Sequence, residues 1–237
     1  MNGFLCVLKP PGMTSSDVVV RVRRKLGRGV KVGHAGTLDP EASGVLPLMI
    51  GRAARLFDYL VEKEKTYVAQ LKPGYATDTQ DAHGAIIAGE GAHATRAQLE
   101  AVLPRFIGEI AQIPPMYSAV KVNGKRLYEL ARQGKEVERK ARRVHIYTCD
   151  IRDIALAKNE FSMEVTCSKG TYIRSLCRDI GEKAGCGGCM AGLVRTRVSS
   201  FKIEDGFTLS EVEAMRDADT LLELSLIHIS EPTRQEA

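Results

Sequence analysis

The chain has 237 residues, of which 44% are hydrophobic and 27% are charged, and its formal net charge is +5. A single domain of this length can bury roughly 70% of its unfolded surface, so its fold needs no covalent cross-links. The first eleven residues lack the apolar stretch of a signal peptide, and no apolar run approaches the ~18 residues of a membrane span, so we expect neither secretion nor membrane insertion.

The six cysteines fit a reducing compartment, and we expect a cytoplasmic protein with free thiols. Cys186 and Cys189 form a lone C-x-x-C motif. Because no second pair follows at zinc-finger spacing, the motif favours structural thiols over a zinc or redox site. We therefore predict no metal site.

The first part of the chain alternates short apolar runs with Gly- and Pro-rich turns. It predicts a strand at 4–8, a basic helix at 18–26 capped by Ser15 or Ser16, a shaped loop at 33–47 and a helix at 51–59. The middle of the chain predicts a strand at 65–71, a polar turn at 77–84, a strand at 85–88 and a helix at 95–106 capped by Thr95.

Pro114 and Pro115 exclude regular structure around them, and Asn123-Gly124 predicts a hairpin turn. The remaining predictions are a short helix at 127–133, strands at 144–154 and 160–168, a helix at 173–183, a strand region at 193–201 and a helix at 211–216 capped by Ser210. Strands and helices are interspersed without a βαβ rhythm, which predicts an α+β fold with a large, mostly antiparallel or mixed sheet.

The loop at 33–47 carries one carboxylate, Asp39, between Leu38 and Pro40. Three glycines and two prolines fix the shape of this loop, and Pro40 restricts the backbone of Asp39. The apolar residues around it would place the acid against an apolar wall, where a carboxylate can serve as nucleophile or base. An isolated Asp-Pro is more often only a turn, so this reading depends on the rest of the chain.

Positive charge is concentrated in two segments, 21–31 and 121–143, and the second has nine Lys and Arg against three Glu. Such clustering is typical of a surface that binds a polyanion, although a solvated helix face gives the same pattern. Phosphate-loop, zinc-protease and serine-nucleophile motifs are absent from the sequence. What remains is Asp39, a tyrosine at a strand start (Tyr67) and an arginine at a helix start (Arg174).

Six motifs occur in a fixed order: K-P-P-G-M-T-S (9–15), G-H-A-G-T-L-D-P-E-A-S-G-V-L-P (33–47), K-T-Y (65–67), T-D-T-Q-D-A-x-G (77–84), P-P-M-Y-S-A-V-K-V-N-G-K-R-L-Y-E-L-A-R-Q-G (114–134) and K-G-T-Y-I-R-S-L (169–176). Together they resemble the TruB family, the tRNA pseudouridine-55 synthases, from about Phe4 to about Glu213. The resemblance implies the pseudouridine synthase fold, a mixed sheet with helices around a central RNA-binding cleft.

By that resemblance Asp39 is the catalytic aspartate, Arg174 pairs with it, and Tyr67 stacks on the target uracil. His34 would contact the RNA near the everted nucleotide, and Asp81 and Tyr172 would line the pocket. The remaining expected RNA contacts are Lys9, Lys121, Arg139, Lys140, Arg142 and Arg143.

The implied activity is the isomerisation of uridine 55 in the T-arm loop of tRNA, by base flipping and exchange of the N1–C1′ bond for a C5–C1′ bond. It implies no cofactor, tRNA as partner and a monomer. Attack of Asp39 at C1′, its addition to C6 and removal of a C2′ proton stay open as mechanisms. A non-catalytic RNA-binding or tRNA-folding module, or a synthase for another RNA, is the alternative function.

Residues 1–224 would form the catalytic domain, with 121–143 as a basic RNA-gripping insertion. Residues 224–234 resemble translated sequencing adapter, so we expect 225–237 to be a non-native tail. The family's small C-terminal RNA-binding domain would then be absent.

Overall fold

The computed structural model describes residues 2–27, 29–155 and 159–215, so the expected tail at 225–237 lies outside the described residues. The chain forms two compact units. Of the described residues, the first unit contains those up to 63 and those from 195 to 215, and the second contains those between 64 and 194. No helix in the described ranges is long and apolar enough to cross a membrane.

The first unit is built on an antiparallel pair, β1 (Gly3–Lys9) and β3 (Ser43–Ile50). The short strand β2 (Val32–His34) also pairs with β3, and β14 (Phe207–Thr208) adds to β1 in parallel. Apolar residues point to both faces of β1 and β3, and this run of buried side chains explains why the two strands read as continuous hydrophobic segments.

Helices α1 (Ser15–Leu26) and α6 (Leu209–Ala214) cover one face of this pair. The buried side chains Val18, Val22 and Val212 pack there against alternate residues of the strands. A second cluster around Phe4 and Phe201 covers the other face, together with the 3₁₀ turn 51–56 that leads into α2 (Phe57–Val61). Strand β13 (Phe201–Lys202) pairs antiparallel with the end of β12 (Gly188–Val198).

The second unit has a sheet whose strands follow the order β12, β4, β11, β10 and β7, and the pairs β4–β11, β11–β10 and β10–β7 are antiparallel. Their bounds are β4 (Lys65–Pro73), β7 (Gly108–Gln112), β10 (Arg142–Ala155) and β11 (Glu160–Cys167). Along β11 every second side chain is buried, as expected for strands with one face on a core. The long helices of this unit are α3 (Arg96–Val102) and α5 (Ile173–Lys183).

Two small hairpins complete the second unit. One joins β5 (Ala76–Thr77) to β6 (Ile86–Ala88), and the other joins β8 (Lys121–Val122) to β9 (Lys125–Arg126). Helix α4 (Leu127–Ala131) follows directly. Asn123 and Gly124 both have positive φ, which confirms the predicted hairpin turn.

Several predictions are confirmed, namely the α+β class, the bounds of α5, and Thr95 as the N-cap of α3. Others are wrong. The caps of α1 and α6 are Thr14 and Thr208 instead of the serines that follow them, because each threonine forms a capping box with the acid three residues later. Strand β7 was missed since Gly108 and Glu109 hide its short apolar pattern.

The glycine-rich stretch at 33–47 is also more regular than predicted. Its two ends lie in β2 and β3, and only residues 35–42 form the connecting loop. Pro47 sits inside β3 opposite Cys6, and its carbonyl accepts a hydrogen bond from the backbone N–H of Ala35. A proline lacks only the N–H, so it is tolerated where that strand position needs no donor.

Candidate active site

Asp39 lies in the loop between β2 and β3, and hydrogen bonds hold the backbone of the residues on either side of it. Ser15, the first residue of α1, is buried, and its Oγ both accepts from the Leu38 N–H (2.9 Å) and donates to the Leu38 carbonyl (3.2 Å). On the other side the Pro40 carbonyl accepts from the Gly12 N–H (3.0 Å). The backbone of Asp39 is thus fixed from both directions.

Lys9 adds a third contact to this loop. Its side chain is 1% exposed, and its ammonium donates to the carbonyls of Pro10 (2.8 Å), Met13 (2.7 Å) and Pro40 (2.8 Å). An ammonium has three N–H donors, so these bonds use all of them. Lys9 therefore holds this loop through its backbone, and its expected role as an RNA contact stays a prediction.

Arg195 holds the two ends of the same loop from the C-terminal part of β12. Its side chain is 1% exposed, Nη2 donates to Gly36 O (3.1 Å), Nη1 to Thr37 O (3.3 Å) and Nε to Val45 O (2.8 Å). The planar guanidinium presents its donors in a rigid fork, which suits three carbonyls fixed in space. Arg195 therefore links the loop before Asp39 to the strand after it.

Gly44 explains how the backbone of Arg195 comes so near. Gly44 has φ +105°, and a Cβ built there would lie 2.2 Å from the carbonyl oxygen of Arg195. Only glycine combines that backbone conformation with such a close approach. The glycine density noted in the sequence thus has a specific purpose at this position.

The charges around the loop influence each other. Desolvation by burial lowers the pKa of the Lys9 ammonium to about 8, although the carboxylates of Glu41 and Asp39 act in the opposite direction. The positive charge of Arg195 lowers it further. Lys9 and Arg195 are therefore two buried cations at this loop, and the Asp39 carboxylate acts on the first of them.

His34 ends β2 just before this loop and is half-buried. Desolvation, with a smaller contribution from Arg195, lowers the pKa of its imidazole below the ordinary histidine value. The ring is therefore neutral at neutral pH. Its Nδ1 atom is buried and has no hydrogen-bond partner within the described part of the chain.

Arg174 lies in the second unit, near the start of α5, and is 5% exposed. Its guanidinium donates from Nη1 to Thr79 O (3.0 Å) and from Nη2 to Tyr117 O (2.8 Å). These two carbonyls belong to the polar turn at 77–84 and the proline-rich segment after β7. Arg174 thus joins three of the sequence motifs within one unit.

Tyr172, the N-cap of α5, is held by the side-chain amide of a residue that the sequence did not single out. Gln112 is 1% exposed, accepts from the Tyr172 N–H (2.8 Å) and donates to the Tyr172 carbonyl (3.1 Å). One turn later Ser175 donates to Gln80 (2.8 Å). These bonds fix the start of the helix that carries Arg174.

Asp81 organises the polar turn and is held there by local donors. Its Oδ1 accepts from Thr79 Oγ1 (2.9 Å) and from the His83 N–H (3.0 Å), and its carbonyl accepts from Thr77 Oγ1 (2.6 Å). Asp81 also bridges to Met190 of β12. Tyr67, on β4 opposite Val165, is 7% exposed.

The basic segment, residues 121–143, is anchored by a small apolar cluster of its own. Met116, Leu127 and Leu130 are buried, with Tyr117 and Val137 packed against them. Lys121, Lys140, Arg142 and Arg143 are exposed, whereas Arg139 is half-buried, donates to Pro114 O (3.3 Å) and pairs with Glu136 (2.9 Å). A fixed apolar base therefore supports an exposed cationic surface.

The six cysteines all lie in the described ranges and form no disulfide there, and all except Cys186 are buried. Burial raises the pKa of the Cys6 and Cys149 thiols to about 12, and it also raises that of Cys189 in the C-x-x-C motif. Such thiols are poor nucleophiles at neutral pH. Across the described ranges, no three His, Cys, Asp or Glu side chains are arranged to hold a metal ion.

The predicted site residues thus form two groups. Asp39, His34 and Lys9 belong to the first unit, and the rest belong to the second. The predicted pairing of Arg174 with Asp39 joins residues of different units and stays a prediction, as do the roles of Tyr67, Asp81 and Tyr172.

Sequence reasoning missed Ser15, Gln112 and Arg195, the buried polar side chains that hold these groups. The sequence signal that could have indicated such a residue is a polar side chain inside or beside an apolar run.

Two family models cover almost the whole chain. The TruB family pseudouridylate synthase model (N terminal domain) matches residues 23–173, and the tRNA pseudouridylate synthase B C-terminal domain model matches residues 174–229. Proteins named tRNA pseudouridine synthase B are similar over most of the chain. That of Alkaliphilus oremlandii is 49% identical over 94% of this chain and 73% of its own length, and that of Clostridium kluyveri is 50% identical over 90% and 73%.

Solved structures give the same result for the fold. The chain resembles a chain of a Cbf5-Nop10-Gar1 complex with a TM-score of 0.69 at 32% identity, over 88% of this chain and 52% of that one. A chain of the archaeal box H/ACA sRNP Nop10-Cbf5 complex matches with a TM-score of 0.66 at 31% identity, over 89% and 52%. The chain spans about half the length of these solved chains. From the family models and the long alignments at about half identity, the chain belongs to the TruB family of pseudouridylate synthases.

Proposed function

We propose that this chain isomerises uridine to pseudouridine in tRNA, at position 55 of the T-arm loop. The relatives at 49–50% identity are named tRNA pseudouridine synthase B, and the chain spans nearly three quarters of their length. The observation that carries the proposal is the loop of Asp39, whose backbone is held on both sides by the buried side chains of Ser15 and Lys9.

The reaction requires the target nucleotide to leave the base stack, which costs a few kcal/mol. In the proposal Tyr67 returns part of that cost by stacking on the uracil, worth about 1–3 kcal/mol per base. The exposed cations of the basic segment attract the phosphates and hold the RNA without reading its sequence.

The chemistry is an isomerisation. The N1–C1′ bond breaks, the base turns, and C5 bonds to C1′; C5 then loses its proton and N1 gains one, so no electrons are exchanged with another molecule. Asp39 supplies the carboxylate beside the ribose, and Arg174 is the cation proposed to pair with it. Attack at C1′, addition to C6 and removal of the C2′ proton stay open as mechanisms.

The proposal is tested by incubating the full chain with a tRNA transcript and with a T-arm stem-loop, then mapping pseudouridine by mass spectrometry. A transcript with cytidine in place of uridine 55 is the matched control. We expect one modified uridine per RNA, lost in the control, and an unchanged rate when a chelator is added. Modification at another uridine would contradict the position, and tight binding without any product would favour a non-catalytic RNA-binding module.

A further inference from the structure

The side chain of Arg195 donates hydrogen bonds to carbonyls on both sides of Asp39, before it in the loop and after it in β3. Gly36 and Thr37 precede Asp39 by three and two residues, and Val45 follows it in β3. A single rigid group that holds both sides determines the width of the loop at its base. We infer that Arg195 is a positioning residue for Asp39, an inference that rests on the proposed function.

The physical cost of this arrangement supports a specific role. Moving a guanidinium out of water costs free energy unless its N–H groups find hydrogen-bond acceptors. Even a well-bonded buried charge often adds little to the free energy of unfolding, so stability alone does not explain an arginine here. An apolar side chain of similar length would fill the same space next to β3 without that cost. The presence of an arginine at this position is explained by its hydrogen bonds to the carbonyls of the loop and of β3, which an apolar side chain could not form.

Gly44 provides an independent observation. Its Cβ position is occupied by the backbone of Arg195, at 2.2 Å from the carbonyl oxygen and 2.8 Å from the nitrogen. The backbones of β3 and of Arg195 are therefore in direct contact, independently of the arginine side chain. The side chain extends from this backbone contact to the loop. The distance between the Arg195 backbone and the loop carbonyls is therefore set by the contact with β3.

Ser15 and Lys9 hold the two residues that flank Asp39, whereas Arg195 holds the base of the loop. These contacts act on different carbonyls, so loss of Arg195 leaves the tip attached while the loop can widen. The carboxylate would then move by a fraction of an ångström to an ångström, and a displacement of that size can cost about 10²-fold in rate. Binding of the RNA phosphates would be unaffected.

The test is Arg195→Lys in the full chain. Lysine keeps the charge and reaches one or two carbonyls, but it lacks the planar fork. We expect kcat to fall roughly 10- to 100-fold while KM and the tRNA dissociation constant change less than threefold. Backbone hydrogen exchange in peptides covering 35–45 should become faster, with exchange in β4 unchanged. Arg96→Lys, an exposed arginine paired with Glu100 on α3, is the matched control and should change none of these values.

Three outcomes would overturn the inference: parental kcat in Arg195→Lys, a loss of kcat without faster exchange at 35–45, or faster exchange throughout the protein with a lowered melting temperature. Arg195→Met, which removes every donor, should show a larger loop effect in the same direction if it folds. If the parent protein makes no pseudouridine, the proposed function fails. The exchange experiment then decides alone whether Arg195 holds the loop.

Discussion

At Asp39 the main chain is held through its two neighbours, Leu38 and Pro40, so a change of the side chain alone should leave the loop in place. This separation of backbone support from side-chain chemistry permits a clean mutational test. Arg195 and Gly44 extend the support to the base of the loop.

The first prediction is that Asp39→Asn abolishes pseudouridine formation. Asparagine is nearly isosteric, but it carries no charge and is a poor nucleophile or base. Turnover should fall by at least about 10³-fold, while tRNA affinity stays within severalfold and the melting temperature changes little. Asp58→Asn, at an exposed site on α2, is the control that should keep parental turnover. Parental turnover in Asp39→Asn would remove this residue from the chemistry, and an unfolded variant would make it a structural turn residue.

The second prediction concerns the pH dependence of stability at Lys9, whose pKa is lowered by burial to about 8 from the ordinary 10.5. Between these values the unfolded chain binds more protons at this site than the folded chain does. The site therefore makes the free energy of unfolding rise with pH across that window. The cost of burying the charged ammonium is fully present below about pH 8. In Lys9→Met this contribution disappears.

Urea unfolding of both proteins at pH 7.5, 8.5 and 9.5 measures the effect. Lys9→Met should be less stable overall, because the carbonyls of Pro10, Met13 and Pro40 lose a donor. Its deficit relative to the parent should grow as the pH rises. A constant deficit across the three pH values would show that the Lys9 pKa is not lowered.

At the residue scale the sequence predicted the acid and its loop, because glycine and proline restrict the backbone in ways that can be read locally. It did not predict Ser15, Gln112 or Arg195, because their importance comes from burial and from partners far along the chain. Arg195, for example, bonds residues 150 to 159 positions away. It did predict a binding role for Lys9, but the structure occupies all of that ammonium's donors within the protein.

Among the secondary-structure elements, β3 depends on a glycine at its start. Gly44→Ala should destabilise the protein by more than about 3 kcal/mol, because it adds a steric clash with Arg195 to the usual cost of a positive φ, itself about 1–3 kcal/mol. Gly29→Ala, with φ +90° and open space around it, is the matched control and should show only the cost of the backbone. Equal losses, measured by urea unfolding, would mean that the close approach is relieved by a small shift.

The basic segment is an element whose charge can be changed without touching its apolar base. Reversal of Lys140, Arg142 and Arg143 to glutamate should weaken RNA binding and reduce the slope of log K against log salt by about 2–3. Arg139 is kept, because it donates to Pro114 O and its loss would disturb the backbone.

Reversal of three exposed arginines elsewhere, Arg96, Arg105 and Arg152, changes the net charge equally and serves as the control. Filter binding with the T-arm stem-loop across a salt series measures both variants. If the slope of log K against log salt falls equally in both variants, the loss of RNA binding results from the change in net charge and not from the basic segment. An unchanged slope in the first variant would make the segment an ordinary solvated surface.

Element boundaries were predictable where local chemistry dominates. The Asn123-Gly124 turn and the Thr95 cap depend on residues next to each other, and α5 has strong helical periodicity. Strand β7 and the strand position of Pro47 depend on pairing with β10 and β1, and pairing partners cannot be read from a short window. The choice between neighbouring threonine and serine caps depends on the acid three residues later, with which the threonine forms a capping box.

For the whole molecule, composition and the absence of a βαβ rhythm were enough to predict an α+β class, and the ordered motifs were enough to predict the family. The division into two units was not predicted. It arises because the first unit is assembled from the two ends of the chain, with residues 64–194 inserted between them. Only contacts between distant parts of the sequence reveal such an arrangement.

The position of Arg195 late in the chain affects when the protein can become active during its synthesis. The carbonyls of Gly36, Thr37 and Val45 are made 150 to 159 residues before the side chain that binds them. At about 5–20 residues per second, the ribosome needs about 8–30 s to cover that distance. During this interval the nascent chain already contains the Asp39 carboxylate but not the arginine that holds its loop, so a growing chain should act on tRNA far more slowly than the finished protein.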